Sequence, residues 1–215
     1  MSITEKSGFE QARRNWSSRL KAWARDRKSR QRYGPEAPLF AERLWIPVDQ
    51  MQHALKYWST KQSGTVVTEW PAEKITSIHN IEVVRACARH WHDNTPWEET
   101  GIYQQMMEYI RQRGKVDRLT SENDVRVRYE ELDELYNIVT QSGTLSPRHE
   151  LIKGNFREEG GILVHIGPDG APYFGGKGHH RLAVALAAGV DLIPAQIGVV
   201  HRDGLTKLGA FRDQS

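Results

Sequence analysis

Cysteine is almost missing from this chain: Cys87 stands alone. No intramolecular disulfide can form, and no cysteine-based zinc site can be built. Long apolar runs are missing as well. The longest, Leu182–Val190, covers about nine residues, against the roughly twenty a membrane-spanning helix requires. The opening MSITEKSGFEQARRNW lacks the apolar centre of a secretory signal, so the expected location is the cytoplasm. Neither a G-x-S-x-G elbow nor an H-E-x-x-H pair occurs, and there is no Walker A or G-x-G-x-x-G sequence. What remains is 215 residues, 38% of them hydrophobic and 27% charged. Seven Trp, seven Tyr and five Phe supply large burial units and exclude uniform disorder.

The net charge of +3 hides a strong asymmetry. Between Arg13 and Arg32 there are nine Lys or Arg and one acid, Asp26, so that segment is +8 and the remainder is −5. An argument from overall charge to nucleic acid fails, and only this arm could support one. Within it, Phe9, Trp16, Leu20 and Trp23 recur on one side of a 3.6-residue period, which predicts an amphipathic helix. Three fates fit such a stripe. It can pack on the body, its commonest fate and the expectation here. It can lie on an anionic membrane surface, making the protein peripheral to the membrane. It can bind an acidic partner or, less favourably, nucleic acid.

Breakers divide the rest. Tyr33-Gly34-Pro35 ends the arm. Leu44–Val48 reads as a short strand, Gln50–Tyr57 as a helical turn, and Thr65–Val67 as another strand. Three helices follow. The first is marked by Ile81, Val84, Ala88 and Trp91, with Cys87 beside them. The second is marked by Ile102, Met106, Tyr109 and Ile110. The third is Tyr129–Thr140, closed by Gly143. The last third reads as strand Gly161–Gly167, turn Pro168-Asp169-Gly170, strand Ala171–Phe174, a glycine loop, helix Arg181–Ala188 closed by Gly189, and strand Leu192–Val200. The expected organisation is an arm at 1–34, a mainly helical region with short strands at 35–128, and a mixed sheet with helices at 129–215. The expected class is α+β.

The chemistry concentrates in Gly175-Gly176-Lys177-Gly178-His179-His180-Arg181. The first N–H groups of a helix lack internal partners and sit at the positive end of its dipole, and glycines let the backbone approach an anion closely. Lys177, His179, His180 and Arg181 add donors and positive charge at the same point, and Arg can hold phosphate oxygens bidentately. The competing reading is a tight turn whose polar side chains satisfy local carbonyls.

Phe174–Ala183, with Gly189 and Ile193-Pro194-Ala195, resembles the signature of the ParB/sulfiredoxin superfamily. In that fold a strand leads into a G-x-x-R loop that opens a helix and binds nucleotide phosphates. The likeness covers about residues 160–202 and says little about 1–128. His179 stands where sulfiredoxins carry their cysteine, so that chemistry is not expected. Gly178-His179-His180-Arg181 lacks the acid of the chromosome-partitioning proteins, and no helix-turn-helix pattern follows Arg202. It does match the G-H-H-R loop of the ParB-like free serine kinases. The resemblance implies a phosphate site at Gly176, Lys177, Gly178, His179, His180 and Arg181. It implies a nucleoside di- or triphosphate with Mg²⁺, and phosphoryl transfer to a small hydroxyl-bearing acceptor. The alternative is a non-catalytic, nucleotide- or DNA-responsive adaptor. The chain also resembles an uncharacterised ParB-like group with a basic arm, through Tyr33-Gly34-Pro35, Leu44-Trp45-Ile46, Pro96–Thr100 and Val200-His201-Arg202.

A transferase of this kind also needs a carboxylate for the acceptor hydroxyl. The serine kinases use a His-Glu pair that precedes a helix; His149-Glu150 resembles it but follows the helix Tyr129–Thr140, and the resemblance makes Glu150 and His180 the catalytic candidates. A surface loop acid is the plainer reading of Glu150. Glu98 and Glu99 in TPWEET, and His201 and Arg202, are candidates for the acceptor side. His90-Trp91-His92-Asp93 has the look of a metal motif. On a helix, however, residues two apart diverge, so no metal is expected there.

Overall fold

The computed structural model describes residues 8–212, with the side chains of the first helix described from Trp16 onward except at Ser17 and Lys21. Phe9 of the expected stripe therefore lies outside the described side chains. The chain runs α1 (Gly8–Tyr33), β1 (Arg43–Pro47), β2 (His53–Ala54), β3 (Thr65–Val67), β4 (Thr76–Ser77), α2 (Glu82–His92), α3 (Ile102–Arg113), α4 (Glu122–Ser142), α5 (Arg148–Leu151), β5 (Ile162–Ile166), β6 (Pro172–Phe174), α6 (His179–Ala188) and β7 (Leu192–His201), then a 3₁₀ run, Arg202–Phe211. The class is α+β. No described helix is long and apolar enough to cross a membrane.

Two compact units interleave along this sequence. The sheet unit comprises Met1–Ile78, Leu145–Gly178 and Asp191–Ser215, and the helical unit comprises His79–Thr144 and His179–Val190. Neither coincides with a single stretch of chain.

In the sheet unit, seven strands form one mixed sheet in the order β1-β7-β5-β6-β2-β4, with β3 also on β7. β5 runs parallel to β7 and antiparallel to β6. β1 pairs antiparallel with the first half of β7, and β3 pairs parallel with its end. Every residue of β5 and β6 is buried, and all of β7 except Leu192. This is why these strands read as nearly continuous apolar runs rather than as alternation. Leu208 and Phe211 of the 3₁₀ run complete the core of this unit. The expected turn at Pro168–Gly170 is present, closed by the Gly170 N–H on the Gly167 carbonyl at 3.0 Å. The helical turn expected over 50–57 is not. Val48–Gln50 makes one 3₁₀ turn, after which His53 and Ala54 join β6 and β4. Two-residue strands carry no periodicity to read.

In the helical unit, α6 packs on α2 and α4, and α3 packs on α4. α4 begins seven residues before its expected start. Ser121 caps it, accepting from the Asp124 N–H, while Asp124 accepts from the Ser121 N–H in return. Gly114 and Gly143 end α3 and α4 in left-handed conformation. Asp133 is the polar hub of this unit. Its carboxylate accepts from the indole N–H of Trp91 at 2.8 Å and of Trp97 at 2.9 Å, and lies 3.2 Å from His90 Nε2. Trp97, Tyr103 and Tyr129 pack ring on ring beside it.

The arm overturns the packing expectation. Trp16, Leu20 and Trp23 are 68%, 52% and 66% exposed. α1 docks instead through Ser18, Ala22 and Asp26, which are buried. Small side chains allow close approach at 18 and 22. Asp26 accepts from the Phe40 N–H at 2.8 Å and pairs with Arg157 at 2.8 Å. Ser29 donates to the Pro38 carbonyl.

Candidate functional site

The glycine loop is fixed where it leaves β6. The Gly175 N–H donates to the Leu163 carbonyl at 2.7 Å, and the Leu163 N–H donates to the Lys177 carbonyl at 3.1 Å. Gly178 has φ +84°, and a Cβ there would stand 2.9 Å from the Ile162 backbone. Only glycine meets both conditions. Gly176 is left-handed too, so two such glycines flank the exposed Lys177. Among the described residues, the N–H groups of Gly176, Lys177 and Gly178 donate to no backbone carbonyl. Successive amides left without a backbone acceptor in a turn of this kind are one arrangement that can receive an anion. Gly176 rests on the aliphatic stem of Lys56.

His165 is the residue that sequence reasoning missed. It is fully buried in the middle of β5, and its Nδ1 accepts from the Val199 N–H at 3.0 Å. The proton therefore sits on Nε2, which has no partner. That atom lies 2.8 Å from where a side chain at Gly175 would begin. The signal available was one polar residue inside an otherwise apolar strand. Burial pushes the His165 pKa down to about 4. The unfolded chain, with an ordinary histidine pKa near 6.5, binds a proton between pH 6.5 and 4 that the native state refuses. Stability is therefore intact above about pH 6.5 and falls as pH drops toward 4, by about 3 kcal/mol at most. Urea unfolding at pH 7, 5.5 and 4 should show this slope, and His165→Gln should reduce it, leaving the part that His180 contributes.

The SPRHEL segment lies at the start of the same strand. The Glu158 carboxylate, fully buried, accepts from the Arg148 N–H at 2.7 Å and packs at Gly161. Gly178 packs on the neighbouring Ile162. The structure thus brings the His149-Glu150 turn and the loop end Gly178 to one end of β5. His149 lies 3.2 Å from Arg43 and 3.9 Å from Glu150, whose carboxylate is exposed.

His179, His180 and Arg181 open α6 in the helical unit, all half-buried. His180 Nε2 approaches the Tyr129 hydroxyl at 3.5 Å. Burial, then the Arg128 charge, push its pKa down to about 4. Its neutral form is therefore favoured near pH 7, beside the fixed charges of Lys177 and Arg181.

Of the remaining candidates, Glu98 and Glu99 belong to the helical unit, and His201 and Arg202 to the sheet unit. Glu98 is exposed on a 3₁₀ turn, paired with Arg126 at 2.7 Å, and its own N–H and then Arg126 hold its carboxyl below the usual range. Glu99 is exposed on the same turn. His201 is buried and fully engaged, accepting from the Asp203 N–H and bonded to the Thr68 carbonyl at 3.0 Å. Arg202 lines a cleft of about 870 Å³ with Tyr33, Tyr57, Trp58 and Trp70. Trp58 meets the His165 ring edge to face at 5.4 Å, which links this cleft to the loop within the sheet unit. His90 bonds the Thr95 carbonyl and His92 the Ala187 carbonyl, so the two rings serve different partners. Among the described residues no cluster of three or more metal-ligating side chains occurs. Cys87 is buried, and burial, then Asp133, push its thiol pKa up. Compared with known proteins, the chain matches no family model, no curated protein and no solved structure.

Proposed function

We propose that the chain binds a nucleoside di- or triphosphate through Gly176–Arg181 and transfers a phosphoryl group to a small hydroxyl-bearing acceptor. The observation that carries the reading is the loop itself: three unspent amides between left-handed glycines, with Lys177 beside them and Arg181 three residues on. The G-H-H-R resemblance points the same way. Glu150 belongs to the same unit as the loop and takes the role of base. The acceptor oxygen bonds to phosphorus, the bond from phosphorus to the departing nucleotide breaks, and the hydroxyl proton passes to the carboxylate. Mg²⁺ would enter on the nucleotide, with phosphate oxygens and water supplying its ligands. It would neutralise charge on the phosphates. His180 serves as a neutral imidazole. The aromatic cleft at Tyr57, Trp58 and Trp70, with Arg202, offers ring faces and one cation to the organic part of a ligand.

The test is incubation of the full chain with labelled ATP, ADP and CTP, Mg²⁺ and a panel of small alcohols and hydroxy acids. Label transferred to an acceptor supports the reading. Saturable nucleotide binding without transfer to any acceptor would favour the non-catalytic adaptor instead.

A further inference from the structure

α1 uses its two sides differently. Positions 18, 22, 26 and 29 hold the helix on the sheet unit, as described above. Positions 16, 20 and 23, with Arg27 and Arg30, follow one another at spacings of four, three, four and three, which places them along one stripe, about 125° round the helix from the docked residues. Along this face Arg19, Arg27 and Arg30 are exposed, and Arg27 lies over the Trp23 ring at 5.8 Å. A groove of about 700 Å³ runs beside it, lined by Arg19, Trp23, Arg27, Arg30, Phe156 and Arg157. Of the described α1 side chains, the one acid is Asp26, buried and paired with Arg157. The outward charge is therefore of a single sign.

We propose that this face docks on an anionic lipid bilayer. Trp16, Leu20 and Trp23 enter the boundary between headgroups and acyl chains, and Arg19, Arg27 and Arg30 meet the lipid phosphates. Charge complementarity selects the anionic surface. The line of one aliphatic and two indole side chains selects the lipid, because all three enter a fluid surface together when the helix lies parallel to it. Nucleic acid fits less well. The two indoles are about 10 Å apart along the helix, with Leu20 between them, and Leu20 offers no ring on which a base could stack. A second copy docked face to face would set arginine against arginine. The proposal does not depend on the nucleotide reading.

The full chain should co-sediment with vesicles of phosphatidylcholine containing phosphatidylserine at least tenfold more than with phosphatidylcholine alone. Binding should fall as salt rises from 0.1 to 0.5 M. Tryptophan emission should shift to the blue on binding. Trp16→Gln with Trp23→Gln should cut partitioning more than tenfold and abolish the shift. Arg27→Glu with Arg30→Glu should abolish partitioning at 0.1 M salt. All four positions are exposed, so an unchanged circular dichroism spectrum certifies the fold. Three outcomes overturn the proposal. One is anionic vesicles binding no better than neutral ones. Another is single-stranded oligonucleotide displacing the protein from vesicles at equal charge concentration. The third is a concentration-dependent dimer that the Trp variant dissolves.

Discussion

Replacing Glu150 by Gln is expected to lower turnover by about 10²–10⁴ while nucleotide affinity stays near that of the parent chain. The change keeps the side chain's shape and removes the proton acceptor. Glu150 sits in a short turn whose first amide is held by buried Glu158, so the backbone that presents it has a fixed anchor. Because the carboxylate itself is exposed, the substitution strands no buried group, and stability should hardly move. Steady-state rates with a saturating acceptor, beside a nucleotide titration of both proteins, decide the matter. Equal turnover would remove Glu150 from the chemistry.

Replacing Arg181 by Ala is expected to weaken nucleotide binding about ten- to a hundredfold, the equivalent of a charge-assisted contact of roughly 1.5–3 kcal/mol. With His180 neutral near pH 7, Arg181 and Lys177 carry the positive charge of the segment, so losing one of them should be felt strongly. The loss should be greater for triphosphate than for the bare nucleoside, since the guanidinium addresses phosphate oxygens. Calorimetric titration of ATP, ADP and adenosine checks the order. Unchanged affinity for every nucleotide that the parent binds would move the phosphate site elsewhere.

What could be read in the sequence depended on how local the cause was. α6 and β7 were legible because a glycine stop and a nearly continuous apolar run are local signals. The helical character of α1 was legible too, but not its docked face. The large side chains pointed to burial, whereas close approach on the body required the small ones at Ser18 and Ala22 and the buried partner of Asp26. The start of α4 escaped notice because its first turns are polar and its Val127 is exposed. At the site, the loop could be read from glycine spacing alone. The unpartnered nitrogen of His165 and the anchoring by Glu158 could not, because both arise only when β5 is laid against residues distant in the chain. The neutrality of His180 likewise follows from the surroundings of its ring, not from its neighbours in sequence.

The most direct measurement of the central claim is the amide spectrum of the ¹⁵N-labelled full chain during titration with ATP and, separately, inorganic phosphate. Saturable shifts are expected at Gly176, Lys177, Gly178 and the first residues of α6, reached by both ligands and lost in Arg181→Ala. Saturable shifts that leave 176–181 unmoved, or no shift at millimolar nucleotide, would contradict that claim.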